Sequence, residues 1–316
     1  MSATETALIT GSFAYDHIMV YPDRFKNHIL PEKVHMLSVS FLMPDMRKEF
    51  GGCAGNIAYN LHLLGGHPEP MGTVGRDFGP YADWMDSLGI SRRYVMPIDD
   101  AFTAQAFIMT DLDDNQITAF HPGAMNVAHL NRISTTDRPA IGIVAPDGRD
   151  GMVQHASEFA DADIPFIFDP GQGLPMFDGA DLLNFLEQAT WLAVNDYEWS
   201  LVQERTGLDE RGVCERVQAL IVTRGGDGST IYTSKEQVDV PVVPAGVLAD
   251  PTGCGDAFRA GLLYGLTRGI DWATTGRIAS LLGALKIEHP GTQNHTFERE
   301  EFDVRFKECF GYALDA

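Results

Sequence analysis

The segment Asp250-Pro251-Thr252-Gly253-Cys254-Gly255-Asp256 combines a bare glycine turn with a carboxylate and runs directly into an apolar helical stretch. Gly253 and Gly255 leave the backbone uncovered, so successive N–H groups can converge on one concavity to which the following helix adds its positive end. Such a turn suits phosphate or an oxyanion. Asp256 would repel phosphate there unless it takes a proton from an attacking hydroxyl, and the pairing points to phosphoryl transfer. The plain alternative is a capped turn. No Gly-x-x-x-x-Gly-Lys-Ser/Thr run occurs, and Phe258 stands where a dinucleotide fingerprint needs its third glycine.

A second glycine segment, Gly51-Gly52-Cys53-Ala54-Gly55-Asn56, precedes an amphipathic helical pattern. Read as a site, its Cβ-free positions admit a polyhydroxylated ligand to the backbone while the Asn56 amide bonds hydroxyls. Read as structure, it is a glycine-rich helix start.

The elements that must hold these segments follow from periodicity. Residues 6–10 read as a first strand, with Asp16 beyond its end. Apolar runs at 140–144, 166–169, 191–195 and 219–223 alternate with helical stretches, as in a doubly wound, mostly parallel sheet covered by helices on both faces. Asp169, Asn195 and Thr223 close three of these runs at the edge where open α/β sheets bind ligands. Two stretches break the alternation. Residues 34–39 read as a strand, and 102–110 with 116–120 read as a hairpin turning at Asp113-Asp114-Asn115. The division expected is a large α/β domain from 1–14, 51–98 and 122–316, with a discontinuous β lid from 15–50 and 99–121.

Composition narrows the partners. The 316 residues hold 23 Lys and Arg against 44 Asp and Glu, a net charge of −21, without a basic cluster that could neutralise a nucleic-acid backbone. Nucleic acid and membrane are not expected partners, because no apolar stretch of membrane-spanning length and no basic, apolar leader is seen. Cys53, Cys214, Cys254 and Cys309 are widely spaced, which fits the reducing cytoplasm, and the ten histidines lack metal-site spacing.

With both glycine segments in place, the chain resembles the PfkB, or ribokinase-like, family of carbohydrate and nucleoside kinases over nearly its whole length. Gly51–Asn56 is similar to the N-terminal signature and Asp250–Asp256 to the C-terminal one. Asn195-Asp196-Tyr197-Glu198 matches an Asn-x-x-Glu element, and Thr223-Arg224-Gly225-Gly226-Asp227-Gly228 a Thr-x-Gly-x-x-Gly turn. The wording at 11–17, 37–42, 120–125 and 250–261 is most similar to bacterial adenosine kinases. Two departures stand out: Pro251 replaces the usual Thr, as in those kinases, and Cys254 replaces Ala, placing a thiol at the anion turn where alkylation is expected to matter.

The resemblance implies transfer of the γ-phosphoryl of ATP to the 5′-hydroxyl of adenosine, with Asp256 as base and the turn at Gly253, Cys254 and Gly255 holding the developing charge. Asp16, Gly52 and Asn56 would hold the ribose, with Ser12 beside them. Phe120 would stack on the purine while Ser40 and Gln172 bond its edge. Asn195, Thr223, Gly225 and Gly228 would shape the ATP side, and Asn195 and Glu198 would act on Mg²⁺ through water. Strand alternation does not decide whether Phe107 faces the ligand. Open alternatives are a kinase for another nucleoside, such as inosine or guanosine, or for ribose, and a catalytically silent nucleoside-binding protein. A monovalent-cation requirement is left open, and a homodimer through the lid is the expected assembly.

Overall fold

A computed structural model describes residues 5–29, 38–113 and 115–314. The N-terminal part comprises β1 (Thr6–Thr10), β2 (Ala14–Val20), β3 (Met46–Gly51), α1 (Cys53–Leu63), β4 (His67–Gly75), α2 (Gly79–Leu88), β5 (Tyr94–Ile98), β6 (Ala104–Thr110) and β7 (Gln116–His121). Alternation follows through β8 (Ile141–Val144), α3 (Arg149–Asp161), β9 (Phe166–Phe168), α4 (Gly179–Gln188), β10 (Trp191–Asn195), α5 (Asp196–Thr206), α6 (Glu210–Cys214) and β11 (Ala219–Thr223). A hairpin, β12 (Ser229–Thr233) and β13 (Gln237–Val240), leads into α7 (Cys254–Thr267), α8 (Trp272–Ile287) and α9 (Arg299–Phe310).

The large sheet has the order β13-β12-β11-β10-β9-β8-β1-β4-β5, parallel except at the β11-β12-β13 edge. Its apolar runs are continuous because both faces are covered. Ala7, Ile9, Trp191, Ala193 and Ile221 enter one core with α1, α2, α7, α8 and α9. Their neighbours Leu8, Leu192, Val194 and Leu220 enter the other with α3, α4, α5 and α6. The expected doubly wound architecture with a small β lid is therefore present. No helix among the described residues is long and apolar enough to cross a membrane.

The lid sheet has the order β3-β2-β6-β7. The hairpin at 104–121 lies where expected, with the Asp111 carboxylate accepting from the N–H groups of Asp113 and Asn115 across its turn. Of the strand expected at 34–39, residues 34–37 fall outside the described residues, and Ser38 and Val39 are irregular. The edge strand beside β2 is instead Met46–Gly51, whose exposed, charged first half gives no β-like alternation. Register places Glu49, Asp16, Ala106 and Phe120 in one row across the lid, hence on one face. Phe107 is on the opposite face, stacked on His17 at 4.7 Å.

Candidate active site

The parallel strands align their carboxyl ends along one edge, and Thr223, Asn195, Asp169, Asp147 and Ser12 follow one another there, at or just beyond β11, β10, β9, β8 and β1. Helices α1 and α7 begin at the same edge. Gly253 caps α7 with φ 81°, a left-handed conformation that favours glycine, and a Cβ on Gly255 would meet nothing within 4 Å. The turn is thus bare on its open side. The Cys254 N–H, expected among the anion donors, is already given to the Pro251 carbonyl at 3.2 Å. The N–H groups of Gly253, Gly255 and Asp256 find no acceptor among the described residues. Behind the turn the buried Lys286 ammonium donates to the carbonyls of Asp250 at 2.6 Å and His289 at 3.2 Å, and Gly291 N–H binds the Asp250 carboxylate at 2.9 Å.

Asp256 sits in the first turn of α7, and its Oδ2 accepts from Asn56 Nδ2 at 2.8 Å. Burial pushes its carboxyl up to about 7; Asn56 opposes that shift, Asp169 adds to it, and the Arg259 guanidinium opposes it. Such a value suits a base that must be ionised at neutral pH yet able to take a proton. Arg259 donates to Asp169 at 3.0 Å in an ion pair with side chains only 5% and 6% exposed. The sequence marks Asp169 only as a polar strand end at the ligand-binding edge and does not mark Arg259, for which an arginine within an otherwise apolar helical stretch is the one signal.

The glycines of the first motif are explained by protein packing. A Cβ on Gly51 would come within 2.5 Å of Asp16 Oδ2, one on Gly52 within 2.5 Å of the Ser12 carbonyl, and one on Gly55 within 1.9 Å of the Tyr81 hydroxyl. Their bare faces therefore admit neighbouring segments, which gives the glycines a packing role. Ser12 Oγ accepts the Cys53 N–H at 3.2 Å and so holds the start of α1. Asn56 is tied at both ends, since its Oδ1 accepts from Gln293 Nε2 at 3.0 Å. Asp16 differs. Its carboxylate has no hydrogen-bond donor among the described residues, and burial, then Glu49 and Asp250, raise it to about 6.

Phe120 is 51% exposed on the Asp16 face of the lid, Ser40 is exposed on an irregular segment, and Gln172 reaches Cys53 Sγ at 3.5 Å. Gln172 thereby meets the start of α1, whereas no hydrogen bond among the described residues ties Ser40 to the site. Asn195 and Glu198 form a reciprocal capping box at α5, with both bonds at 2.8 Å, a structural duty their spacing also serves. Glu198 is raised by burial and by Asp169. Thr223 adjoins Asn195 in the sheet; Gly225 is open, while Gly228 is closed against the Val240 carbonyl. The Cys254 thiol is pushed up to about 11 by burial, so it is protonated at neutral pH and poorly nucleophilic, against the expected alkylation sensitivity.

Residues 10–299 match the pfkB family of carbohydrate kinases. A nucleoside kinase of Methanocaldococcus jannaschii is 32% identical over 266 residues, covering 84% of this chain and 87% of its own. The structure of a Burkholderia thailandensis nucleoside kinase in complex with inosine superposes with a TM-score of 0.89 at 56% identity, covering 97% of this chain and 99% of the other. The same kinase in complex with ADP-inosine gives 0.87 over 98% and 99%. The carboxylate at the start of α7, the open turn before it and the row of polar strand ends thus stand in a chain that belongs to the pfkB carbohydrate kinase family.

Proposed function

We propose that this pfkB-family phosphotransferase moves the γ-phosphoryl of ATP to the 5′-hydroxyl of a purine nucleoside, with adenosine as the acceptor. The observation that carries this reading is a pair of dissimilar carboxylates. Asp16 projects from the lid without a protein donor, free to accept from two vicinal ribose hydroxyls, while Asp256 stands at a helix start, held by an amide donor and suited to a proton. In the reaction, the 5′-oxygen bonds phosphorus as its proton passes to Asp256. The bond between the γ-phosphorus and the bridging oxygen breaks, and its electrons leave with ADP. The open N–H groups of Gly255 and Asp256, with the α7 dipole, face the charge on the transferred group.

ATP would lie toward Asn195, Thr223 and Gly225, with Gly228 shaping the turn beneath. Among the described residues no three His, Cys, Asp or Glu side chains are grouped to hold a metal. Glu198 nevertheless fits Mg²⁺ at one remove, since burial beside Asp169 leaves it with negative charge that a hydrated cation would relieve. Bound Mg²⁺ would neutralise phosphate charge. Segments 15–50 and 99–121 would close over the acceptor as a lid and exclude water, with Phe120 against the base.

An acceptor panel with coupled ADP detection tests the assignment: adenosine, inosine, guanosine, cytidine, ribose and fructose, each with ATP and Mg²⁺. Turnover of adenosine well above ribose supports it. A second reading, inosine as acceptor, is favoured by the inosine complex of the Burkholderia kinase at 56% identity. Ribose or fructose turning over without any nucleoside would overturn both.

A further inference from the structure

Five side chains form a branched hydrogen-bonded chain whose direction is dictated by chemistry. Trp84, on α2, can only donate, and its Nε1–H goes to Gln293 Oε1 at 3.1 Å. The other end of that amide is therefore NH₂, which donates to Asn56 Oδ1 at 3.0 Å and to the Tyr81 hydroxyl at 2.6 Å. Tyr81 in turn donates to the Gly51 carbonyl at 3.0 Å. With its oxygen held by Gln293, Asn56 has its NH₂ toward Asp256. A reversed Asn56 would set oxygen against a carboxylate and one NH₂ against another. The indole thus fixes the orientation of both amides.

The surroundings are built to keep this arrangement. Gln293, Asn56 and Tyr81 are at most 4% exposed, and the Trp84 ring is held by stacking on Phe50 at 5.9 Å and Tyr59 at 6.2 Å. Gly55 leaves the space the chain needs, since any Cβ there would strike the Tyr81 hydroxyl and crowd Gln293 Nε2 at 3.2 Å.

We infer that Gln293, locked by Trp84, is a positioning residue for phosphoryl transfer, fixing the Asn56 amide so that Asp256 is presented as an acceptor carboxylate. The inference rests on Asp256 being the base. Charged and titratable groups facing Asp256 are Cys53 from α1, Tyr81 from α2, Asp169 beyond β9, and Cys254 and Arg259 from its own helix; the Cys53 thiol is a second, weaker donor to the carboxylate, and the Asn56 amide is the stronger one. Releasing Asn56 removes the donor that favours the ionised form, so the proton should be held to higher pH.

The test is the pH profile of kcat/KM for the nucleoside in Gln293→Leu and Trp84→Phe, with Asp256→Asn as control and thermal melts alongside. Gln293→Leu should move the acid limb upward by about one pH unit, a roughly fivefold loss at pH 7 that approaches tenfold at pH 6 and recovers at high pH, with KM for ATP unchanged. Trp84→Phe keeps an aromatic ring for stacking but loses the pyrrole ring with its N–H while leaving Gln293 in place, so a smaller shift in the same direction is expected. It carries the test alone if Gln293→Leu does not fold. Acid limbs that coincide with the wild type while Asp256→Asn is inactive would overturn the positioning role alone. Normal turnover by Asp256→Asn would instead remove the base assignment, and this inference with it.

Discussion

Titration of Asp256 is the most direct consequence of the site's geometry. Its carboxyl lies near 7 because burial outweighs the bond from Asn56 and the charge of Arg259. A base with that value is ionised in about one molecule in ten at pH 6 and about nine in ten at pH 8, so kcat/KM for the nucleoside should rise about ninefold across that interval. Asp256→Asn should abolish this limb and slow turnover by about 10²–10⁴, or roughly 3–5 kcal/mol of barrier. Initial rates by coupled ADP detection from pH 5.5 to 9, at saturating ATP and low nucleoside, give the profile. Stability should respond in the opposite sense. The folded value lies above the unfolded one, so the group's contribution is complete below about pH 4 and is lost as pH rises through 7. Asp256→Asn keeps an acceptor for Asn56, and should melt no lower than the wild type at pH 8. A wild-type profile flat from pH 6 to 8, or a variant within tenfold of normal rate, would refute the assignment.

Three further outcomes follow from particular contacts. Asp16→Ala should raise KM for the nucleoside about 10²-fold, from two lost charge-assisted bonds of about 1.5 kcal/mol each, and leave KM for ATP alone; Gly51→Ala should act similarly, since its Cβ would lie 2.5 Å from Asp16 Oδ2. Arg259→Met should lower unfolding free energy in urea by about 3–5 kcal/mol by leaving Asp169 buried without its partner, and Asp169→Asn in the same background should restore much of it. Asp147 is 2% exposed, with Oδ2 unpaired, and burial raises its carboxyl to about 8 despite the Gly148 N–H. Its stabilising contribution is therefore present below about pH 4 and lost as pH rises through 8, so Asp147→Asn should flatten the urea midpoint between pH 5 and 8.5, an effect on the order of a few kcal/mol.

Strands buried on both faces were readable because nothing else makes a short apolar run bounded by polar residues in this alternation. Trp191–Asn195 and Ala219–Thr223 begin and end where the sequence indicates. Met46–Gly51 has no sequence signature, because a lid strand with an exposed, charged first half has no alternation to show. Residues proposed for the chemistry are legible as types at spacings, but the structural reasons for those spacings are not. Asn195 and Glu198 lie three apart, which also makes a capping box, and Gly51, Gly52 and Gly55 are bare because Asp16, Ser12 and Tyr81 fill their Cβ positions. The contacts that limit the proton affinity of Asp256 have no sequence signature at all. Asn56 is 200 residues away in sequence, Gln293 lies 237 beyond Asn56, and Trp84 is 209 before Gln293, so no local pattern links them. A motif can supply a carboxylate at a helix start, but a base near neutrality requires burial, an amide donor held in one orientation, and a nearby ion pair. Those conditions arise only when α1, α2, α7 and the segment after α8 meet, which makes the fold itself a determinant of the chemistry.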